Sequence, residues 1–355
     1  MPPADISAAA RAAYTGAMRR PLVVLLALLV LLGGGSFALW FWTVGRLAAG
    51  FDAWAADAQA QGWTVQAAGR HRAGWPLAAE LVLDGVTLRA GPEVLPGGAE
   101  YRAGRVVLHI SPLSPDLLTL RLEGTQSLRA FGGPALPFTA DQLGIDVPLA
   151  TPEPVRLSGH RLRFTAPAEG MTIGLLDGQA QPGREALTLE LSGEAITLPP
   201  PPAPQPALGG HIASVTVTAT LDGALPPPGG DPQARLAAWQ HAGGMLRVQH
   251  MALGWGPLGV TGTAAIGLDA GLQPTGTATL RVVGYDAALS ALAAGHVVTP
   301  QAAQAIRAVL ALMARTPEGG GIPQVDLPVA LEDGVLRVGR IPVGKVPQWD
   351  WSAAR

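Results

Sequence analysis

The residue types able to carry chemistry are few and scattered. Seven histidines (His71, His109, His160, His211, His241, His250 and His296) are the candidate metal ligands or proton carriers. No two lie three or four positions apart, the spacing that sets a ligand pair on one helix face. No H-E-x-x-H, no G-x-S-x-G and no clustered carboxylates accompany them. The absence of cysteine removes thiolate nucleophiles, disulfides and Cys-bound zinc or iron–sulfur clusters. Gly254-Trp255-Gly256-Pro257-Leu258-Gly259 spells G-x-G-x-x-G, but a strand pattern follows where a dinucleotide site needs a helix, and Pro257 withholds an amide from the phosphate. A turn between two strands is expected there. Gly339 to Val346 approaches a P-loop, yet Val346 stands where a hydroxyl must hold magnesium and Pro347 forbids the helix. Arg161 and Arg163, with His160 beside them, offer either a contact for an anionic head group or a solvated strand face, the latter being the simpler reading. The expectation is a protein that is not an enzyme, with no catalytic residue, no metal ligand and no cofactor.

Composition narrows the partners. Charged residues make up 14% of the chain against roughly 25% in an ordinary soluble domain, and the net charge of −2 supplies no basic stripe for phosphates. Nucleic acid is excluded as an expected partner. The 46 glycines and 33 prolines stop short of a low-complexity composition, so a folded chain is expected.

The elements that would have to position a site begin with a membrane segment. Residues 21 to 44 carry no charge and, as a helix, reach about 36 Å, enough to cross the hydrocarbon layer with some tilt. Residues 1–20 form a tail in which Arg11, Arg19 and Arg20 outnumber Asp5, so the tail is expected in the cytoplasm with Arg19 and Arg20 at the inner interface. Trp40, Phe41 and Trp42 are expected at the outer interface. A cleavable signal peptide with Leu22 to Leu32 as its apolar core is the alternative, but bulky aromatics occupy the place where small residues should mark a cleavage site. Leu47, Phe51, Trp54, Ala55 and Ala58 keep helical spacing up to Gly62, so 45–62 reads as an amphipathic stalk helix. The expected location is the inner membrane, single-pass, with the C-terminal body in the periplasm.

The body reads as strands. Leu118, Leu120 and Leu122 alternate with Thr119, Arg121 and Glu123, and Leu187, Leu189 and Leu191 with Thr188, Glu190 and Ser192. Val215, Val217, Ala219 and Leu221 do the same with three threonines between them. Asp84-Gly85, Asp177-Gly178, Asp222-Gly223 and Asp333-Gly334 are favoured pairs for tight hairpin turns. A first β-rich part is expected over 63–198 and a second over 211–355. Between them 199–210 is a proline-rich spacer, either a stiff loop or a ligand for a proline-binding module. Thr299 as N-cap, Pro300 and the stripe Ile306, Val309, Leu310, Met313 complete a helical hairpin over 285–315. The fold class is mainly β, with an N-terminal transmembrane helix, an elongated antiparallel β body and a helical hairpin near the C-terminus.

One-faced strands must hide their apolar side in a closed core or line a groove with it. Trp63, Trp75 and Trp255 are the candidate lipid-contacting residues of such a groove, core packing being the alternative for each. The segments Gly62-Trp63, Gly74-Trp75-Pro76-Leu77, Leu81 to Leu88, Trp255 to Leu292 and Gly334 to Pro347 resemble the domain-of-unknown-function 2125 (DUF2125) family, uncharacterised membrane-anchored envelope proteins of Gram-negative bacteria. The resemblance implies an anchor and an envelope-exposed β-rich body, and no site residues. The sheet pattern is also similar to that of AsmA-like envelope proteins, which carry lipids along apolar β-grooves. The expected function is lipid binding or transfer in envelope maintenance, with membrane lipid as partner. The alternative is a scaffold that recruits another envelope protein through strand edges or the proline segment.

Overall fold

An uninterrupted helix, α1 (Ser7–Ala60), opens the computed structural model, which describes residues 7–91, 94–95, 97–130, 132–150, 153–183, 186–199, 208–223, 232–295, 299–316, 320–346 and 348. Of Arg19 and Arg20 only the helical backbone is described. The expected span and the expected stalk are one element, because no proline follows Pro21 until the chain has left the helix and Gly62, at φ +87°, ends it in a conformation that glycine tolerates. From Leu28 onward the helix is long and apolar enough to cross a membrane. Past Leu39 one side of the helix packs on the sheet. Val44, Leu47 and Ala48, one stripe at i, i+3, i+4, are buried on Leu81 and Leu83. Trp40 Nε1 donates to the Ala73 carbonyl at 3.1 Å. The sheet therefore claims Val44, which the expected span 21–44 includes, and the stretch that a spanning helix would have left to meet lipid, 21–39, is about 28 Å long.

Among the described residues seventeen strands follow. The first nine are β1 (Trp63–Gln66), β2 (Gly69–Ala73), β3 (Ala79–Ala90), β4 (Ala99–Ser111), β5 (Ser114–Ala130), β6 (Leu136–Thr139), β7 (Gln142–Pro148), β8 (Val155–Phe164) and β9 (Thr172–Pro182). The rest are β10 (Ala186–Thr197), β11 (His211–Asp222), β12 (Met245–Trp255), β13 (Leu258–Leu268), β14 (Pro274–Val283), β15 (Gln324–Glu332), β16 (Val335–Val338) and β17 (Ile341–Lys345). They form one antiparallel meander in chain order. β1 and β2 share one edge of β3, and β6 and β7 share one edge of β5. From β8 each strand pairs with the next as far as β17. The two β-rich parts expected from sequence are halves of this one sheet, since β10 and β11 pair from Ala186↔Asp222 to Thr197↔His211. Residues 200–207 of the proline-rich spacer lie outside the described residues; at its base Leu198 N–H donates to the Gly210 carbonyl at 2.8 Å.

Among the described residues three further helices accompany the sheet. α2 (Pro232–His241), not expected from sequence, seats Trp239 with its Nε1 donating to the Asp222 carbonyl at 3.0 Å. α3 (Tyr285–Ala294) and α4 (Pro300–Met313) form the expected hairpin, tied by an Arg307–Asp286 ion pair and by Arg307 Nη2 donating to Ser290 Oγ at 2.8 Å. Asp333-Gly334 makes the expected tight turn, with φ of +52° and +71° joining Glu332 to Val335. Asp84-Gly85 and Asp177-Gly178 do not turn. They lie inside β3 and β9, where apolar alternation continues on both sides of the pair and burial of that face outweighs local turn preference. The G-x-G-x-x-G stretch is, as expected, the β12–β13 turn, with Trp255 opposite Leu258.

Candidate functional site

Directly opposed residues of an antiparallel pair lie on the same face, so the strand registers trace what each face presents. One row runs Leu81, Leu108, Leu120, Ile145, Leu157, Gly178, Leu191, Val217, Met251, Gly262, Leu280, Leu327. Two positions along the strands a second row runs Leu143, Gly159, Leu176, Gly193, Val215, Leu253, Val260, Val282, Val325. On the other side of the first, a third joins Val155, Ala180, Leu189, Ala219, Val248, Ala264, Ala278, Val329 and Val338. None of these residues is polar. Across twelve neighbouring strands, at about 4.8 Å each, the first row extends roughly 50 Å.

α1 covers the start of this face incompletely. Between its outer part and strands β3 to β9 lies a cavity of about 1330 Å³, bounded on the helix side by residues from Ser36 to Trp54 and on the sheet side by Leu108, Leu120, Ile145, Leu157 and Leu176 among others. The volume exceeds the roughly 300–1,000 Å³ of an ordinary ligand pocket. The helical wall from Ser36 to Trp54 is about 27 Å long. Tyr101 stands on the wall with its hydroxyl donating to the buried Gln126 Oε1 at 2.6 Å, and burial pushes its pKa up to about 12, so it stays a neutral donor. Arg46 is the one charged side chain among the described lining residues, its guanidinium 5.6 Å from the Trp42 ring centre. Past the cavity Leu189 and Leu191 are exposed, and the face then closes over Ala219, Val248 and Ala264.

Beyond Arg70 and Arg72 of β2, which face α1 opposite Leu83 and Leu81, the charges of strands β3 to β8 lie on the opposite face and are largely paired there. Glu80 accepts from Arg121 Nη2 at 2.6 Å and lies 3.1 Å from His109 Nδ1. Burial alone would raise its pKa, but the bonds from His109 and Arg121 outweigh burial and hold the carboxyl below the usual range. Arg161 and Arg163 both pair with Asp141, at 2.5 and 2.8 Å, which engages the charges that a head group would have met. His71 lies 3.5 Å from Asp84, and His241 Nδ1 lies 2.6 Å from the Ala237 carbonyl. Among the described residues no group of three His, Asp or Glu side chains gathers as a metal site.

The three tryptophans singled out by sequence sit apart from one another and from the cavity wall. Trp63 borders a separate pocket of about 260 Å³ at the far end of α1, with Trp54 and Leu88. Trp75 lies in the β2–β3 loop against Phe37, and Trp255 donates Nε1 to the Gly209 carbonyl at 2.9 Å, fastening the β12–β13 turn to the end of the proline-rich segment. Of the expected interface aromatics, Trp40 and Trp42 line the cavity, whereas Phe41 is covered by the Arg72 guanidinium at 5.0 Å. The leucines that build the wall were visible only as alternation within single strands, since register joins residues far apart in the chain.

A family model described as an uncharacterized protein conserved in bacteria matches residues 40–347, from the point where α1 meets the sheet to just past β17. No curated protein and no solved structure matches.

Proposed function

The chain belongs to the DUF2125 family, and from that premise we propose that it is an inner-membrane-anchored periplasmic protein that holds a membrane lipid by its acyl chains and takes part in envelope maintenance. The observation that carries the reading is the apolar cavity of about 1330 Å³ between α1 and the sheet. Each leaflet occupies half of the roughly 30 Å hydrocarbon core, so an acyl chain of about 15 Å fits within the 27 Å wall. A wall of leucine, isoleucine and valine desolvates such a chain at about 25 cal/mol per Å² while making no directional demand on it. Arg46 and the Tyr101 hydroxyl are, with the hydroxyls of Ser36, Thr43 and Ser111, polar groups that such a ligand would meet on the wall, the first suited to a phosphate. The apolar face continues past the cavity onto the exposed Leu189 and Leu191 of β10, which extends the surface that an acyl chain can follow before the face closes.

The test is site-specific photocrosslinking in intact cells. A photoreactive amino acid at Leu157, on the apolar face, is expected to capture radiolabelled phospholipid, while the same residue at Thr218, on the polar face, captures none. Capture of one fixed protein at Leu157 without lipid would replace the lipid reading with a scaffold.

A further inference from the structure

Three hairpin tips meet at the end of the sheet nearest the membrane segment. The β2–β3 loop (Gly74-Trp75-Pro76-Leu77-Ala78) precedes Ala79, which pairs with Ile110, and Ile110 leads into the β4–β5 turn around Pro112 and Leu113. Leu117 pairs with Pro148, and Leu149 N–H donates to the Asp116 carbonyl at 2.7 Å, which sets the start of the β7–β8 loop beside that turn. Each tip presents an apolar side chain to the outside: Trp75 is 51% exposed, Leu77 83%, Leu113 94% and Leu149 55%. The segments GWPLA, PLS and PLA around these side chains carry no charge, the nearest in a tip being Glu153 further along the β7–β8 loop. Four large apolar side chains at that exposure on three separate loops make a patch rather than scattered surface leucines.

Their height relative to the bilayer follows from α1. Trp75 packs edge-on against Phe37, ring centres 6.2 Å apart, and Trp40 is fastened to Ala73. Phe37 lies two residues, about 3 Å, inside the outer end of the stretch that is free to meet lipid. Pro76, Pro112, Pro115 and Leu149 also border the cavity, so the tips ring its membrane end.

We propose that Trp75, Leu77, Leu113 and Leu149 form a docking rim that enters the outer leaflet of the membrane holding α1 and seats the mouth of the cavity on the bilayer. The inference builds on the lipid-holding reading: an acyl chain would pass between leaflet and cavity without crossing water. The occupant is the bilayer itself, because the patch is continuous with the span through the Phe37–Trp75 contact.

The natural absence of cysteine allows a direct test. Single cysteines at Leu77, Leu113 and Leu149, and at the exposed far-end position Gln66, are spin-labelled in the full chain reconstituted into phosphatidylcholine vesicles. The expected result is a severalfold loss of accessibility to a water-soluble nickel reagent and a gain for oxygen at the three tips, with no such change at Gln66. Tips as accessible to nickel as Gln66 would overturn the rim. So would tips protected in native membranes but accessible in pure-lipid vesicles, an outcome that assigns the patch to a protein partner. Lipid capture at Leu157 is read separately, so accessible tips with capture intact remove the rim alone, and protected tips without capture remove the lipid-holding reading alone.

Discussion

Trp75 meets Phe37 edge to face, with ring centres 6.2 Å apart and planes at 74°, and this contact joins the β2–β3 loop to α1. Such pairs contribute about 0.5–1.5 kcal/mol beyond the area they bury. A double-mutant cycle with Phe37→Leu and Trp75→Leu is expected to give a coupling energy of that size in thermal unfolding of the detergent-solubilised chain. Additive effects would mean that the loop is held by Trp40 and Ala73 alone.

Leu47 is the centre of the stripe by which α1 grips the sheet. Leu47→Ala removes a buried side chain from the cluster with Leu81 and Leu83 and should cost about 2–5 kcal/mol. Because Leu47 lies outside the stretch 21–39 proposed to span the membrane, fractionation with membranes should not change, while hydrogen exchange along β3 should rise. A variant with unaltered β3 protection would show that the helix and sheet are not packed as described.

Gly244 lies directly under Trp239. A β-carbon there would stand 2.2 Å from the indole ring, so Gly244→Ala must move the ring or the backbone, at a cost of about 1–3 kcal/mol. Loss of the Trp239 Nε1 bond to Asp222 should show as a red-shifted tryptophan emission and a lower Tm. An unchanged spectrum would contradict the placement of α2.

Glu80 predicts an acid limb. Its carboxyl titrates lower in the fold than when free, so the ionised form stabilises the fold, a contribution complete above the unfolded value near 4.3 and lost as pH falls through the lower folded value. Glu80→Gln should lower stability at neutral pH by about 1 kcal/mol and flatten the Tm-against-pH curve below about pH 4.5 relative to the parent chain. The ion pairs of Asp141 and Asp326 titrate in both proteins and cancel in the comparison. Parallel curves would remove Glu80 from the acid response.

Much of this architecture is legible in the sequence because its signals are local. Leu118, Leu120 and Leu122 announce a one-faced strand without reference to any neighbour, Pro300 announces a helix start, and Asp333-Gly334 makes the turn it favours. What was not legible depends on register or on long-range burial. Nothing near Leu157 says that Ile145 and Gly178 will flank it, so the rows that build the cavity emerge only when the strands are paired. Asp177-Gly178 reads as a turn locally and is overruled by Leu157 and Leu191, which close over that glycine from both neighbours. α2 escaped because its helical pattern is weak until Trp239 finds the β11 end. Residue type singles out Trp63, Trp75 and Trp255 but does not reveal that they sit at three different places.

Acyl chains are proposed to occupy the cavity beside α1, and their presence there can be read directly. Native mass spectrometry of the full chain, extracted gently from its own membranes, tests this occupancy most directly, alongside Leu120→Asp, which places a charge on the cavity wall, and Leu120→Trp, which fills space without charge. Retained phospholipid on the parent chain, and its loss from both variants with Tm largely kept, is the predicted result. A parent chain that emerges free of lipid, or folded variants that retain lipid as the parent does, would contradict the account.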